Sequence, residues 1–413
     1  MSSEQHRPDE FPLPDTPGNL PIVDSYLFDD LLPAEAAYAL TAGLRAYREP
    51  FVGVTEDGTP RAGLYRLNGT GASPKAAVTA AETYLDGLAG HQRLVGNLPM
   101  DAAEWRLWTN AIPTWHPKGL RLERLAERDR DRALTVIEAS LSPRGYAQVR
   151  AAMALNENLG ELIDDYRDTL TEFAYWFTVF GTPSPDTPWG WQLMGHHVDL
   201  HCVFVAGQVV LAPVFLGAEP TIGTGRFEGV QALREETEVA LRFRRILDRD
   251  REDEFLMGSS LRAGDLPPEL AGPWNGRHLA GAGSDNLILP AEGVVAASLP
   301  AEQQEGLIAL IRVYLDRLPL AQAERTLALV REHFGETRFA WRGGHDDVCA
   351  FYYRIHSPVL LVEYDNHPGV FLANPEPARY HVHTIVRHPH GNDYGRDLLA
   401  QHYRLHHGGR EAG

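Results

Sequence analysis

Residues 189–215, WGWQLMGHHVDLHCVFVAGQVVLAPVF, constrain the fold of this chain more than any other stretch. Strong β-formers flank Ala206-Gly207 on both sides, so the stretch predicts two antiparallel strands joined by a tight turn. Side chains along a strand alternate between two faces. One face collects His196, Val198, Leu200, Cys202 and Phe204; the other collects His197, Asp199 and His201 before returning to Val203 and Val205. A strand apolar near its end and polar on one face in its middle lines a cavity, and that cavity is the expected site.

Residues 1–20 are polar, acidic and Pro-rich, with too little apolar surface to order themselves, and read as a disordered tail. Residues 21–407 read as a single large α+β domain, helical over about 33–165 and sheet-rich over about 171–216 and 337–407. Helical spacing covers 33–48. Ser73-Pro74 opens a long helix, and helices continue over 100–164 with a break near 112–118. An amphipathic helix follows at 226–247, then a Gly- and Pro-rich loop over 259–290, helices over 301–334, strands at 339–341, 348–355, 359–364 and 380–386, and a last helix over 394–406. No repeat period is visible. The expected architecture is an antiparallel sheet or partial barrel built from the central and C-terminal strands and surrounded by helices.

Charge and cysteines exclude several functions. Among 413 residues, 38 Lys and Arg face 56 Asp and Glu, a net charge of -18, and no basic stripe with interleaved aromatics occurs. Nucleic acid is therefore not an expected partner. Two cysteines in a chain this long point to a reducing compartment, and no apolar run is long enough to span a bilayer, so the expected location is cytoplasmic, away from membranes. The phosphate-loop, zincin, nucleophile-elbow and dinucleotide motifs are absent, so no nucleotide cofactor is expected.

The histidines carry the chemistry. Of 18, three fall within 196–201 and ten between His345 and His407. An H-x-H pair on a strand sets two imidazoles on one face about 7 Å apart at their Cα atoms, close enough to share an ion. His381 and His383 meet that condition, and His197 is the third expected ligand. Glu363 and Asp365 point to one face of their strand: Glu363 is read as a further ligand or general base, and Asp365 as the group that orients a ligand imidazole. Arg387 is assigned to an anionic group of the substrate. His196, Asp199 and His201 support the ligands from around them, with His196 read as a hydrogen-bonded core histidine. His388 and His390 read as exposed, and His402, His406 and His407 as a solvated helix face.

Several motifs, EWRLWTN (104–110), YWFTVFGTP (175–183), WGWQLMGHHVDL (189–200), FLGAEP (215–220), VEYDN (362–366), HVHT (381–384) and NDYGRDLLAQHY (392–403), resemble the bacterial and fungal domain-of-unknown-function family 3500 over roughly residues 51–403. The resemblance implies a shared fold. It places Gly195-His196-His197, Glu363-Tyr364-Asp365 and His381-Val382-His383 within the family pattern, and Asp199 and His201 as departures from it.

These residues together lead to a metal-dependent enzyme acting on a small molecule, with zinc or iron as the ion and activation of bound water, a hydrolase-type reaction, as its chemistry. One alternative is a non-haem iron oxygenase with a His197-Val198-Asp199 and His383 triad, an oxidoreductase. Another is a non-catalytic metal- or small-molecule-binding protein.

Overall fold

The computed structural model describes residues 44, 47–68, 74–112, 114, 117–163, 166–267, 270, 278–369 and 371–406. The expected tail, and most of the helix expected over 33–48, lie outside them. One sheet of 12 strands dominates: β1 (Asn97–Leu98), β2 (Leu120–Arg121), β3 (Trp176–Gly181), β4 (Trp189–Gly195), β5 (Val198–Val205), β6 (Gln208–Ala218), β7 (Leu256–Gly258), β8 (Val294–Val295), β9 (Arg338–Gly343), β10 (Phe351–Ser357), β11 (Leu360–Asn366) and β12 (Val382–Arg387). Their order is β1-β3-β4-β5-β6-β12-β11-β10-β9-β7, with β2 also on β3 and β8 on β9. Among these described strands, only β1 with β3 and β7 with β9 run parallel. The sheet is open: β1 and β7 end the path without pairing with each other, so the partial barrel is replaced by a broad, mostly antiparallel sheet.

The helices among the described residues are α1 (Lys75–Gly87), α2 (Gly90–Gly96), α3 (Glu127–Ser140), α4 (Pro143–Leu162), α5 (Arg234–Ile246), α6 (Glu252–Phe255), α7 (Ala301–Leu315), α8 (Leu320–Glu332) and α9 (Arg396–His406). None is long and apolar enough to cross a membrane. Residues 100–111 and 119–126, expected to be helical on either side of the break, instead form single 3-10 turns and β2.

The two halves of the chain repeat one plan. The order α1-β1-β2-α3-α4-β3-β4-β5-β6 is followed by α5-β7-β8-α7-α8-β9-β10-β11-β12, with α2 and α6 in corresponding places. The strand registers repeat too. Trp176 pairs with Met194 and Gly195 with Val198; Arg338 pairs with His356 and Ser357 with Leu360, each residue 162 positions after its counterpart. Antiparallel pairing of β6 with β12 joins the halves. Few side chains repeat, which is why no period shows in the sequence: Trp191 is matched by Tyr353 and His201 by Glu363. The repeated property is alternation, and many residues satisfy it.

That alternation gives the sheet two different faces, both buried. On one face helices cover aromatic and aliphatic side chains: Trp191 Nε1 donates to Ser140 Oγ of α3 (2.9 Å), Tyr364 shares a hydrogen bond with Thr237 of α5 (2.7 Å), and Tyr353 does so with Tyr314 of α7. The other face is polar. Register sets Tyr352, Asp365, His383 and Gly217 side by side in one row across four strands, and Arg354, Glu363, Ile385, Phe215 and Asp199 in the next.

The segment 278–285 covers this polar face and is gripped from both sides of its backbone. Glu363 accepts the N–H groups of Leu279 (3.1 Å) and Ala280 (2.7 Å), while Arg387 donates to the carbonyls of Ala280 (2.9 Å) and Gly281 (2.7 Å). Arg387 also donates to Asp285 (2.9 Å) and Asp393 (3.1 Å), and Asp285 in turn accepts from Arg106 (2.7 Å) and Tyr394 (2.9 Å). Removing Arg387 would leave the buried Asp393 carboxylate without its cation and take one of two cations from Asp285. Arg387→Met is therefore expected to lower stability by about 3–5 kcal/mol, read as a shift in the urea unfolding midpoint; a loss below about 1 kcal/mol would show that the network contributes little.

Candidate metal centre

The run 189–215 forms two hairpins. The turn at Ala206 (φ 48°) and Gly207 (φ 72°) lies where the sequence placed it, both residues left-handed as a type I′ turn requires. A second two-residue turn, His196-His197, separates β4 from β5, and His197 sits at φ 64°. A branched or bulky residue would be strained there, but histidine tolerates this region better than most. The His197 carbonyl accepts the Gly217 N–H at 2.8 Å, and its own N–H donates to the Asn110 carbonyl at 3.2 Å. The turn thereby holds the His197 ring above the row that carries His383.

His197, His381 and His383 converge. Their Nε2 atoms form a triangle with sides of 3.2, 3.0 and 3.2 Å, and each residue is at most 4% exposed. Gly217 forms the floor beneath them: a methyl group there would lie 3.0 Å from Cδ2 of both His197 and His383 and 2.9 Å from the Val382 carbonyl. In its ring plane each Nε2 offers either one proton or one lone pair. Among three such atoms in mutual contact, at least one pair must meet proton to proton or lone pair to lone pair. A cation removes that conflict. Three nitrogens about 2.0–2.1 Å from one ion, at angles between octahedral and tetrahedral, stand about 2.9–3.4 Å apart, which matches the triangle.

Electrostatics favours the ligating form. Burial, reinforced by the neighbouring histidines, holds His197 and His383 well below the usual imidazole range, and burial with His367 does the same to His381. All three are neutral. Glu219 Oε2 lies 3.5 Å from His381 Nδ1, and burial pushes this carboxyl up to about 8 against the Leu372 N–H it accepts.

The other residues singled out from the sequence are placed as follows. Glu363 is occupied by Leu279, Ala280 and by Tyr352 Oη (2.7 Å), and it is not among the converging donor atoms. Arg387 spends its donors on Ala280, Gly281, Asp285 and Asp393, leaving the anion-holding role without support. Asp365 does orient imidazoles, those of His278 (2.8 Å) and His367 (3.1 Å). His196 Nδ1 meets Asn156 Oδ1 at 2.7 Å and its ring stacks on His197 at 3.8 Å. His201 bonds Gln192 and the Pro213 carbonyl, away from the triangle. Asp199 is fully buried; burial pushes its carboxyl well up, opposed by the Gly195 backbone. His388 and His390, expected at the surface, are buried, His390 against Glu56 at 3.0 Å, and His402 is buried as well; His407 lies outside the described residues. Sequence reading missed Gly217, Glu219, His278 and His367. Only His367 left a signal, as the third member of the alternation Glu363, Asp365, His367.

Burial of so many neutral histidines sets a pH dependence. Burial lowers His196 and His201 to about 3, and His356 and His388 to about 4, whereas the unfolded chain titrates near 6.5. Below that value the unfolded state binds more protons, so stability falls as the pH falls. Each such residue adds up to about 1.4 kcal/mol per pH unit to the loss. In chelator, unfolding free energy should decline steeply from pH 7 to pH 5; a flat profile would mean that these rings are charged when folded.

The chain matches the family model described as a protein of unknown function, DUF3500, over residues 70–396. No curated protein and no solved structure matches it at a significant level. The matched span holds all three converging histidines together with the strands that carry them, and the chain belongs to the DUF3500 family.

Proposed function

We propose that the protein is a metal-dependent enzyme that acts on a small molecule at a divalent ion, zinc or iron, held by His197, His381 and His383. One observation carries this reading: three buried, neutral imidazoles, one from the His196-His197 turn and two from 184 and 186 residues further along the chain, bring their Nε2 atoms within 3.2 Å of one another, an arrangement their own hydrogen bonding cannot satisfy. Three protein ligands leave room for a further one, which distinguishes reactive centres from closed structural sites; an ion so held acidifies bound water and polarises substrate oxygens, and hydrolysis is the reaction class this supports best.

The chain's own residues shape that centre. Glu219 stands behind His381. Asn156 fixes His196 against the back of His197, and the segment gripped by Glu363 and Arg387 keeps bulk water off the polar face. The oxygenase alternative requires Asp199 as the third ligand, but the donors that converge include His381 in its place.

Full-length protein purified without chelator should carry a transition metal, and His197→Gln and His381→Gln should each lose one equivalent while circular dichroism stays native. Gly217→Ala, by pushing two rings apart, should weaken zinc binding roughly 10–100-fold, the cost typical of disturbing a ligand's support. Metal-free protein that takes up neither zinc nor iron on addition would overturn the reading.

A further inference from the structure

A second group of metal-ligating side chains adjoins the first. Asp365 accepts from Nδ1 of His278 at 2.8 Å with one carboxylate oxygen and from Nδ1 of His367 at 3.1 Å with the other. The rings of His278 and His367 lie 5.4 and 4.2 Å from that of His383. One donor atom from each of these four residues falls within 4.8 Å of every other, and all four residues are buried. His383 belongs to both groups. Its Nε2 stands in the triangle, and its Nδ1 is buried with no hydrogen-bond partner. A buried nitrogen without a partner is costly and calls for a ligand.

We propose that His278, Asp365 and His367, together with Nδ1 of His383, form a second divalent-cation site, so that the protein holds a pair of ions bridged by the His383 ring. The inference rests on the three-histidine reading, since His383 must already be a ligand. Three imidazoles and one carboxylate make a four-ligand set suited to zinc, and a set complete in protein ligands is closed, in contrast with the three-ligand site beside it. Separations of 2.8 and 3.1 Å between carboxylate oxygen and imidazole nitrogen are those of neighbouring ligands on one ion as well as those of hydrogen bonds. The ion takes the place of the protons shared with Asp365 and of the last N–H proton on His383. These protons leave to solvent, so binding acidifies the solution. The second ion locks the orientation of His383 and thereby the geometry of the open site. It also ties the covering segment to the sheet, because His278 is the residue before the stretch that Glu363 grips.

The test is zinc stoichiometry of the full chain, by elemental analysis after loading with excess zinc and removal of free ion by gel filtration. Two zinc ions per chain are expected. His278→Gln and, as a second variant in case the first fails to fold, His367→Gln should each retain one, His197→Gln should retain one, and the His197→Gln, His278→Gln double variant none. One zinc per chain, kept in His278→Gln and His367→Gln but lost in His197→Gln, overturns the second site and leaves the three-histidine centre standing. Loss of both ions in folded His278→Gln overturns the two-site assignment. No zinc at all overturns both readings.

Discussion

The structure depends on how the polar face of its sheet is covered. Burying charged side chains without partners would cost several kcal/mol each, so this face can exist only with an element that supplies matching groups. The backbone of Leu279, Ala280 and Gly281 does so: its N–H groups go to Glu363 and its carbonyls to Arg387, from adjacent strands of the same face. One acid and one base thus satisfy both edges of a peptide segment that has no secondary structure to do it. Asp285, a few residues on, carries the clasp to Arg106 and Tyr394. The side chains with the most obvious catalytic character in the sequence are consumed in holding the cover down.

Behind that cover the histidines stay neutral, and neutrality makes them useful. Burial disfavours the imidazolium, each neighbouring ring adds to the effect, and lone pairs are left facing a shared point. His278 is the exception. Burial works against its charge, but the Asp365 carboxylate outweighs burial and raises it, while His278 and His367 hold Asp365 far below the usual carboxylate range. Two electrical environments therefore adjoin at His383, one that disfavours the imidazolium and one in which a carboxylate favours it. Gly217 and the left-handed turn at His197 supply the close approach that a larger or more regular backbone would prevent.

The duplicated plan explains where the site lies. His197 comes from the turn between β4 and β5 in the first half and His381 and His383 from the start of β12 in the second, and the β6–β12 pairing brings them together. Neither half holds three ligands. The equivalents of His196 and His197 in the second half are Pro358 and Val359, so the repeated hairpin has a ligand on one side only. The residues between β11 and β12, absent from the matching Ala206-Gly207 turn, bring in His367 and His381.

The sequence by itself determined the strands at 189–215 and over the last quarter of the chain, the Ala206-Gly207 turn, and the identity of the three converging histidines. Each rests on local physics: β propensity, the two-residue period of a strand, and the reach of an H-x-H pair. It misread the second turn at His196-His197, because continuous β-formers conceal a turn whose left-handed residue is not glycine. It also placed His388, His390 and His402 at the surface, since a histidine in a turn or on a helix gives no sign of what packs over it. The tertiary structure alone decided that the sheet is open, that the halves repeat, and that Glu363 and Arg387 clasp a covering segment. The clasp depends on contacts across 84 and 107 residues of sequence, where a carboxylate facing a backbone amide and a carboxylate facing a cation look the same until the chain has closed on itself.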